Sequence, residues 1–285
     1  MTTTIREFLA AHYFAERDLR GSSRVFFTCK INVFERWLGR SATLDDLDST
    51  TVNAFLDYRM SDRSRETARG EKAVLRAVWQ SAFDARLTER PPLRLKKIRR
   101  AVPEVEAWDC EQVNRLLQVA TTQAGRFRMN HVPKSLYWLA VVRTLFDTGL
   151  RVGDLLALES ARINGPGCYT VRQLKTGKDV SVAISEATWQ AIEAIRSPTR
   201  NLLFGDVLGA RAFGQNFAKL TKSANLLGRT KMLRRTSGSM IERQFPGEGH
   251  THLGNGRQVF ERHYLAKRLA PQTARFPVLY TPSDN

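Results

Sequence analysis

With 285 residues, 42% hydrophobic and 26% charged, the chain is long enough for two modest domains with real cores. Lys+Arg outnumber Asp+Glu by 45 to 28, a formal net charge of +17, which favours a polyanionic partner, nucleic acid first, over the bland alternative of a merely basic protein. No long apolar run or signal-peptide core is present, Cys29, Cys110 and Cys168 lack metal-ligand spacing, and there is no nucleotide-binding glycine fingerprint, so no membrane, metal or cofactor is expected.

Residues 1–88 read as a helical domain. A Thr-rich start caps IREFLAAHYFAERDL, and SSRVFFTCKINVFERWLG repeats apolar residues at helical spacing until Gly39. LDSTTVNAFLDYRM has Ser and Thr in capping position, and SRETARGEKAVLRAVWQSAFDARL places Leu75, Val78, Trp79, Ala82 and Phe83 on one side. Residues 89–106 form a linker broken by prolines. Its cations Arg94, Lys96, Lys97, Arg99 and Arg100 suit a phosphate backbone, or equally a solvated strap. From 107 the pattern changes. EQVNRLLQVA and SLYWLAVVRTLFDTG are helix-like, and CYTVRQ and DVSVAI alternate around LKTGK as a two-stranded hairpin. EATWQAIEAI, ARAFGQNFAKLTKSANL, TKMLRRTSGSMIERQ and NGRQVFERHYLAKR return to helix. The expected fold is mostly α with a small antiparallel sheet, a helical N-terminal domain preceding an α+β domain over 107–285.

A phosphodiester displaced without metal or cofactor needs arginines to match the charge on the non-bridging oxygens, a nucleophile, and a proton donor for the leaving sugar oxygen. Two arginines, a tyrosine and a lysine suffice, and the chain offers them in order. Arg151 follows the Gly149 turn in TGLRVGDLLAL, Lys175 sits at the hairpin tip in QLKTGK, Arg234 lies on a helix that Thr230 caps, and Tyr264 closes the series. Each has an ordinary reading alone: an ion pair between Arg151 and Asp154, a solvated turn lysine, a surface arginine, and a tyrosine at the edge of an apolar stripe after Phe260. The joint order favours Tyr264 as a nucleophile on a helix held by Val259 and Phe260.

That order resembles the tyrosine recombinase, or phage integrase, family over nearly the whole chain. TGLRVGDLLAL is similar to its first arginine box, with Asp154 supporting Arg151. VRQLKTGKDVSVAI is similar to its hairpin, with Lys175 at the catalytic lysine and Lys178 beyond the turn. KMLRRTSGSMI resembles the HxxR box, leaving one of Arg234 and Arg235 for solvent or DNA, and LGNGRQVFERHY resembles the box that ends in the nucleophile. Two positions depart from the pattern. Lys231 replaces the histidine of HxxR, and Asn255 replaces a histidine or tryptophan; His252 and His263 are candidate substitutes.

The resemblance implies a core DNA-binding domain over 1–88, a basic linker and a DNA breaking–rejoining domain over 107–285, with no arm-binding domain. It implies a site-specific recombinase working without metal or ATP. Arg151 and Arg234 would grip the scissile phosphate, helped by Lys231 and Asn255, while Tyr264 attacks to form a 3′-phosphotyrosyl bond and Lys175 protonates the leaving 5′ oxygen. Double-stranded DNA is the implied partner, engaged by a homotetramer that is a monomer or weak dimer when free, in the cytoplasm with the nucleoid. The apolar FPVLY near the C-terminus is expected to dock on a neighbouring protomer. Three other readings stay open: a type IB topoisomerase, which tolerates a lysine at the Lys231 position; a catalytically impaired sequence-specific DNA-binding protein; and an RNA-binding helical protein.

Overall fold

The computed structural model describes residues 3–89, 91–92, 94–100, 104–128 and 131–270. The chain falls into two compact units, 1–102 and 103–285, each with its own apolar core.

In the first unit, α1 (Ile5–Phe8) runs into a wide π turn (Leu9–Tyr13), followed by α2 (Gly21–Leu38), α3 (Ser49–Asp62) and α4 (Arg65–Asp84). Thr4 and Glu7 cap α1 reciprocally, and Gly39 ends α2 at φ +73, a conformation that favours glycine. α3 is capped by Asp48, whose carboxylate accepts from the Thr50 and Thr51 amides, rather than by the Ser and Thr expected there. Leu75, Val78, Trp79 and Ala82 of α4 are buried as anticipated, against Phe8, Phe34 and Phe55. One charged cluster lies inside: Glu71, 1% exposed, takes a two-pronged bond from Arg59, with Lys30 at 3.4 Å.

Most of the described linker belongs to this unit. Leu95 and Ile98 pack on its core, the Lys96 amide donates to Asn53 Oδ1 at 2.8 Å, and Lys72 Nζ donates to the Lys96 carbonyl. Of the five linker cations, Lys96 pairs with Asp57 and Arg100 lies 3.8 Å from Glu66, whereas Arg94, Lys97 and Arg99 are exposed.

The second unit contains α5 (Cys110–Thr121), α6 (Lys134–Thr148), α7 (Val152–Leu156), β1 (Gly167–Arg172), β2 (Asp179–Ile184), α8 (Glu186–Glu193), α9 (Ala210–Ser223), α10 (Thr230–Gln244), α11 (Gly249–His252) and α12 (Arg257–His263). Its centre is α6, where Tyr137, Trp138, Val141, Val142 and Leu145 are buried and the helix packs on α5, α8 and α10. β1 and β2 pair antiparallel from Gly167 opposite Ile184 to Arg172 opposite Asp179, the two-stranded hairpin read from alternation.

Three local expectations change. α10 begins at Thr230 with Arg229 in the cap position, so Thr230 is inside the helix. The helix expected over NGRQVFERHYLAKR is short, and Tyr264 stands just past its end at φ −128. Val259, expected to hold that helix, is 48% exposed, and Phe260 at 2% does the packing. Among the described residues no helix is long and apolar enough to cross a membrane. The FPVLY segment lies outside the described residues.

Candidate active site

α6 ends at Gly149, whose φ of +58 reverses the chain so that buried Leu150 and then Arg151 follow. A Cβ at 149 would lie 3.2 Å from both Ser237 Oγ and His252 Nε2, so glycine also permits a close approach of α6 to α10 and α11. Arg151 is the cap residue of α7, and its guanidinium is held by two amide oxygens: Nη1 donates to Gln173 Oε1 at 2.6 Å and Nη2 to Asn255 Oδ1 at 2.9 Å. Asp154 is buried and stands 3.9 Å from Arg151, an ionic contact only; its Oδ1 instead accepts from the Leu174 amide at 2.8 Å and anchors the hairpin turn. Lys175 and Lys178 are exposed in that turn, which Gly177 closes by donating to the Gln173 carbonyl.

α10 turns a polar side inward. Arg234 is 3% exposed, donating from Nη1 to the Gly149 carbonyl and from Nη2 to the Leu253 carbonyl at 2.6 Å. Thr236 donates to the Trp108 carbonyl, Ser237 shares a 2.7 Å hydrogen bond with His252, and Ser239 donates to the Tyr264 carbonyl and accepts from the Ala266 amide. The next arginine, Arg235, expected on a DNA-facing surface, donates from Nε to the His263 carbonyl and from Nη1 to the Glu106 carbonyl. α10 therefore fixes the backbone on either side of Tyr264. His263 enters this arrangement through its carbonyl.

One flank of the half-buried Tyr264 ring packs with Leu253, Phe260 and Leu265. The other faces cations: Arg234 Cζ lies 5.0 Å and Lys231 Nζ 5.6 Å from the ring centroid. Burial works against ionising the phenol, yet the charges of Arg234, Arg151 and Lys231 outweigh it and bring Tyr264 below the ordinary tyrosine value. Arg234 itself is pulled down to about 10, first by burial and then by the charge of Arg151. Lys231 is also lowered, by burial and by Arg235, with Lys175 adding to the effect from the turn. Two buried donors here, Arg234 Nε and Asn255 Nδ2, have no partner among the described residues.

His252, a candidate substitute for the missing histidine, is held by Ser237 and lowered to about 4, by burial and then by Arg234. It is neutral at pH 7, so it supplies no positive charge to an anion. The sign gives a stability prediction. An unfolded histidine takes its proton near pH 6.5, while folded His252 resists until about 4, so stability falls as pH drops through that window, by up to about 3 kcal/mol. In urea unfolding, His252→Gln should lose less stability than wild type between pH 7 and 4.5. Identical losses in both would remove His252 as the cause.

Arg151, Arg234, Lys231, Asn255, Asp154, His252 and Tyr264 thus converge in one unit, with Lys175 on the turn beside them. The contribution of Gln173 and of the Gly149 and Leu253 carbonyls was not read from sequence.

A model of the phage integrase family matches residues 107–249, a span holding Arg151, Lys175, Lys231 and Arg234 and ending before Asn255 and Tyr264. Among curated proteins, none matches the chain. Among solved structures, a lambda integrase dimer bound to a COC′ core site superposes with a TM-score of 0.75 at 16% identity, covering 98% of this chain and 81% of that one. A lambda integrase tetramer bound to a Holliday junction gives 0.72 at 16% over the same shares. The Tn1549 transposon integrase (residues 82–397) in complex with circular intermediate DNA gives 0.69 at 14%, covering 92% of this chain and 95% of that one. The family match takes in both boxed arginines and the hairpin between them, and the fold is shared along nearly the whole chain: this protein belongs to the phage integrase family, the tyrosine recombinases.

Proposed function

We propose that the chain is a site-specific DNA recombinase that cuts and rejoins duplexes through a 3′-phosphotyrosyl intermediate. The observation that carries this reading is the Tyr264 ring facing Arg234 and Lys231, beside buried donors on Arg234 and Asn255 that have no partner among the described residues. Arg151 and Arg234 bind the non-bridging oxygens of the scissile phosphate, while Asn255 Nδ2 and Lys231 donate to them. Tyr264 Oη gives its proton to water and attacks phosphorus, the bond to the 5′ oxygen breaks, and Lys175 gives that oxygen its proton. The ester energy is kept in the phosphotyrosine, so attack by a 5′ hydroxyl from a second duplex rejoins the strands without ATP. Because the clamp is built from cations on the protein, no divalent ion is required.

Charge supports duplex DNA as substrate. From Val207 to Ile241 the chain has seven Lys and Arg and no Asp or Glu, and Arg211, Lys219, Lys222 and Arg229 of this stretch are exposed. The DNA-bound relatives, one of them a tetramer on a Holliday junction, support an assembly of four protomers on two duplexes. Arg94, Lys97 and Arg99 are the linker cations best placed to meet phosphates.

The test is a nicked suicide substrate bearing the cognate site, incubated in chelator and then denatured. Covalent protein–DNA complexes are expected; specific binding with no adduct would instead identify an impaired DNA-binding protein, and relaxation without site preference a topoisomerase. Lys175→Ala should slow cleavage about 100-fold or more. A substrate with sulfur in place of the leaving 5′ oxygen, which departs without a proton, should recover most of that loss. No recovery would take the proton-donor role from Lys175.

A further inference from the structure

Gln173, the residue after β1, is 1% exposed. A buried amide must place both its oxygen and its nitrogen. Its Oε1 accepts from Arg151 Nη1 at 2.6 Å and from Thr176 Oγ1 at 2.9 Å, while Nε2 donates to the Leu253 carbonyl at 3.2 Å. Because Nε2 is committed to a carbonyl, the oxygen must be the end that faces the arginine. The backbone of the same residue closes the Lys175 turn, its amide donating to the Lys178 carbonyl and its carbonyl accepting from Gly177, both at 2.8 Å. The Leu253 carbonyl it grips is also the acceptor of Arg234 Nη2. One side chain therefore touches the first arginine, the lysine turn and the carbonyl that holds the second arginine. Gly254 makes room for it: a Cβ there would lie 2.8 Å from Gln173 Nε2.

A neutral holder suits this place. An amide oxygen orients a guanidinium without cancelling its charge, whereas a carboxylate would neutralise the group meant to meet a phosphate. The nearby acid, Asp154, is 3.9 Å from Arg151 and has one oxygen committed to the Leu174 amide. We propose that Gln173 is a positioning residue that sets Arg151 against Arg234 and ties the Lys175 turn to both. This deepens the recombinase reading and rests on it.

Gln173→Glu and Gln173→Met, measured on the suicide substrate across pH beside wild type, test the proposal. At pH 8 the carboxylate of Gln173→Glu cancels charge on Arg151 and cannot donate to Leu253, so cleavage should fall about 10- to 100-fold while DNA affinity changes by less than about threefold. The introduced carboxylate pairs with Arg151 and stays ionised through the mildly acidic range, so the deficit of Gln173→Glu should persist there. Gln173→Met should show a similar loss at pH 8, again with DNA affinity nearly unchanged. Either variant cleaving within about twofold of wild type at pH 8, or losing DNA affinity in proportion to cleavage, would overturn the proposal and leave the recombinase reading standing. Absence of cleavage by wild type would overturn both.

Discussion

Tyr264→Phe should form no covalent protein–DNA complex and should still bind its site within about threefold of wild type, because only the attacking oxygen is lost. The ring contacts with Leu253, Phe260 and Leu265 do not involve that oxygen, and Ser239 and Arg235 hold the local backbone through the Tyr264 and His263 carbonyls. Unfolding free energy should accordingly change by less than about 1 kcal/mol. Three readouts on one variant, namely trapping on a nicked substrate, gel-shift affinity and urea unfolding, separate chemistry from binding and folding. Adducts formed by the variant would assign the nucleophile elsewhere. Lost affinity with intact folding would make the phenol a DNA-contacting group instead.

Arg234→Ala should do more, because on the proposed mechanism one side chain serves the phosphate and the nucleophile as well as the fold. Removing it leaves the Gly149 carbonyl without its buried side-chain donor and the Leu253 carbonyl with Gln173 alone, at a cost of about 1 to 3 kcal/mol in unfolding free energy. It also removes one of the two guanidiniums proposed to meet the phosphate, and cleavage should fall about 1000-fold or more. The third consequence is a shift in pH dependence. Arg234 is the largest of the charges that lower Tyr264, so the phenol should move up in the variant and residual cleavage should need a higher pH than wild type. Arg234→Lys keeps the charge without the planar fork and should fall between the two in rate, with a smaller pH shift. A folded Arg234→Ala variant that cleaves within about tenfold of wild type would remove Arg234 from the phosphate site.

The parts of this architecture that depend on local chemistry could be read from sequence. Gly39 and Gly149 stop helices where the left-handed conformation is needed, and the alternation on either side of LKTGK sets the hairpin. Arg151, Arg234 and Tyr264 stood out because their chemistry is scarce and their order informative. Parts that depend on distant chain segments meeting could not be read. Gln173 acquires its role from a carbonyl 80 residues away. Phe260 of α12 packs so closely on α10 that a Cβ on Gly238 would already lie 3.0 Å from its ring, a fit between segments that neither shows alone. The polar run after Arg234 reads only as helix, and the burial of Thr236, Ser237 and Ser239 depends on partners that only the fold supplies. Arg235 shows the opposite limit. Adjacent arginines are alike in sequence, and only the fold assigns one to the ring of Tyr264 and the other to the His263 and Glu106 carbonyls.

On the proposed mechanism, guanidinium and ammonium groups on the protein neutralise the reacting phosphate well enough for the Tyr264 oxygen to displace a deoxyribose 5′ oxygen with no divalent ion. The most direct test is to trap the wild-type chain on a suicide substrate in excess chelator, digest the adduct and identify the nucleotide-bearing peptide by mass spectrometry. The expected product is a 3′-phosphoryl nucleotide esterified to Tyr264, in a yield that added magnesium does not raise. A nucleotide on any other residue, or an adduct that forms only when magnesium is restored, would contradict it.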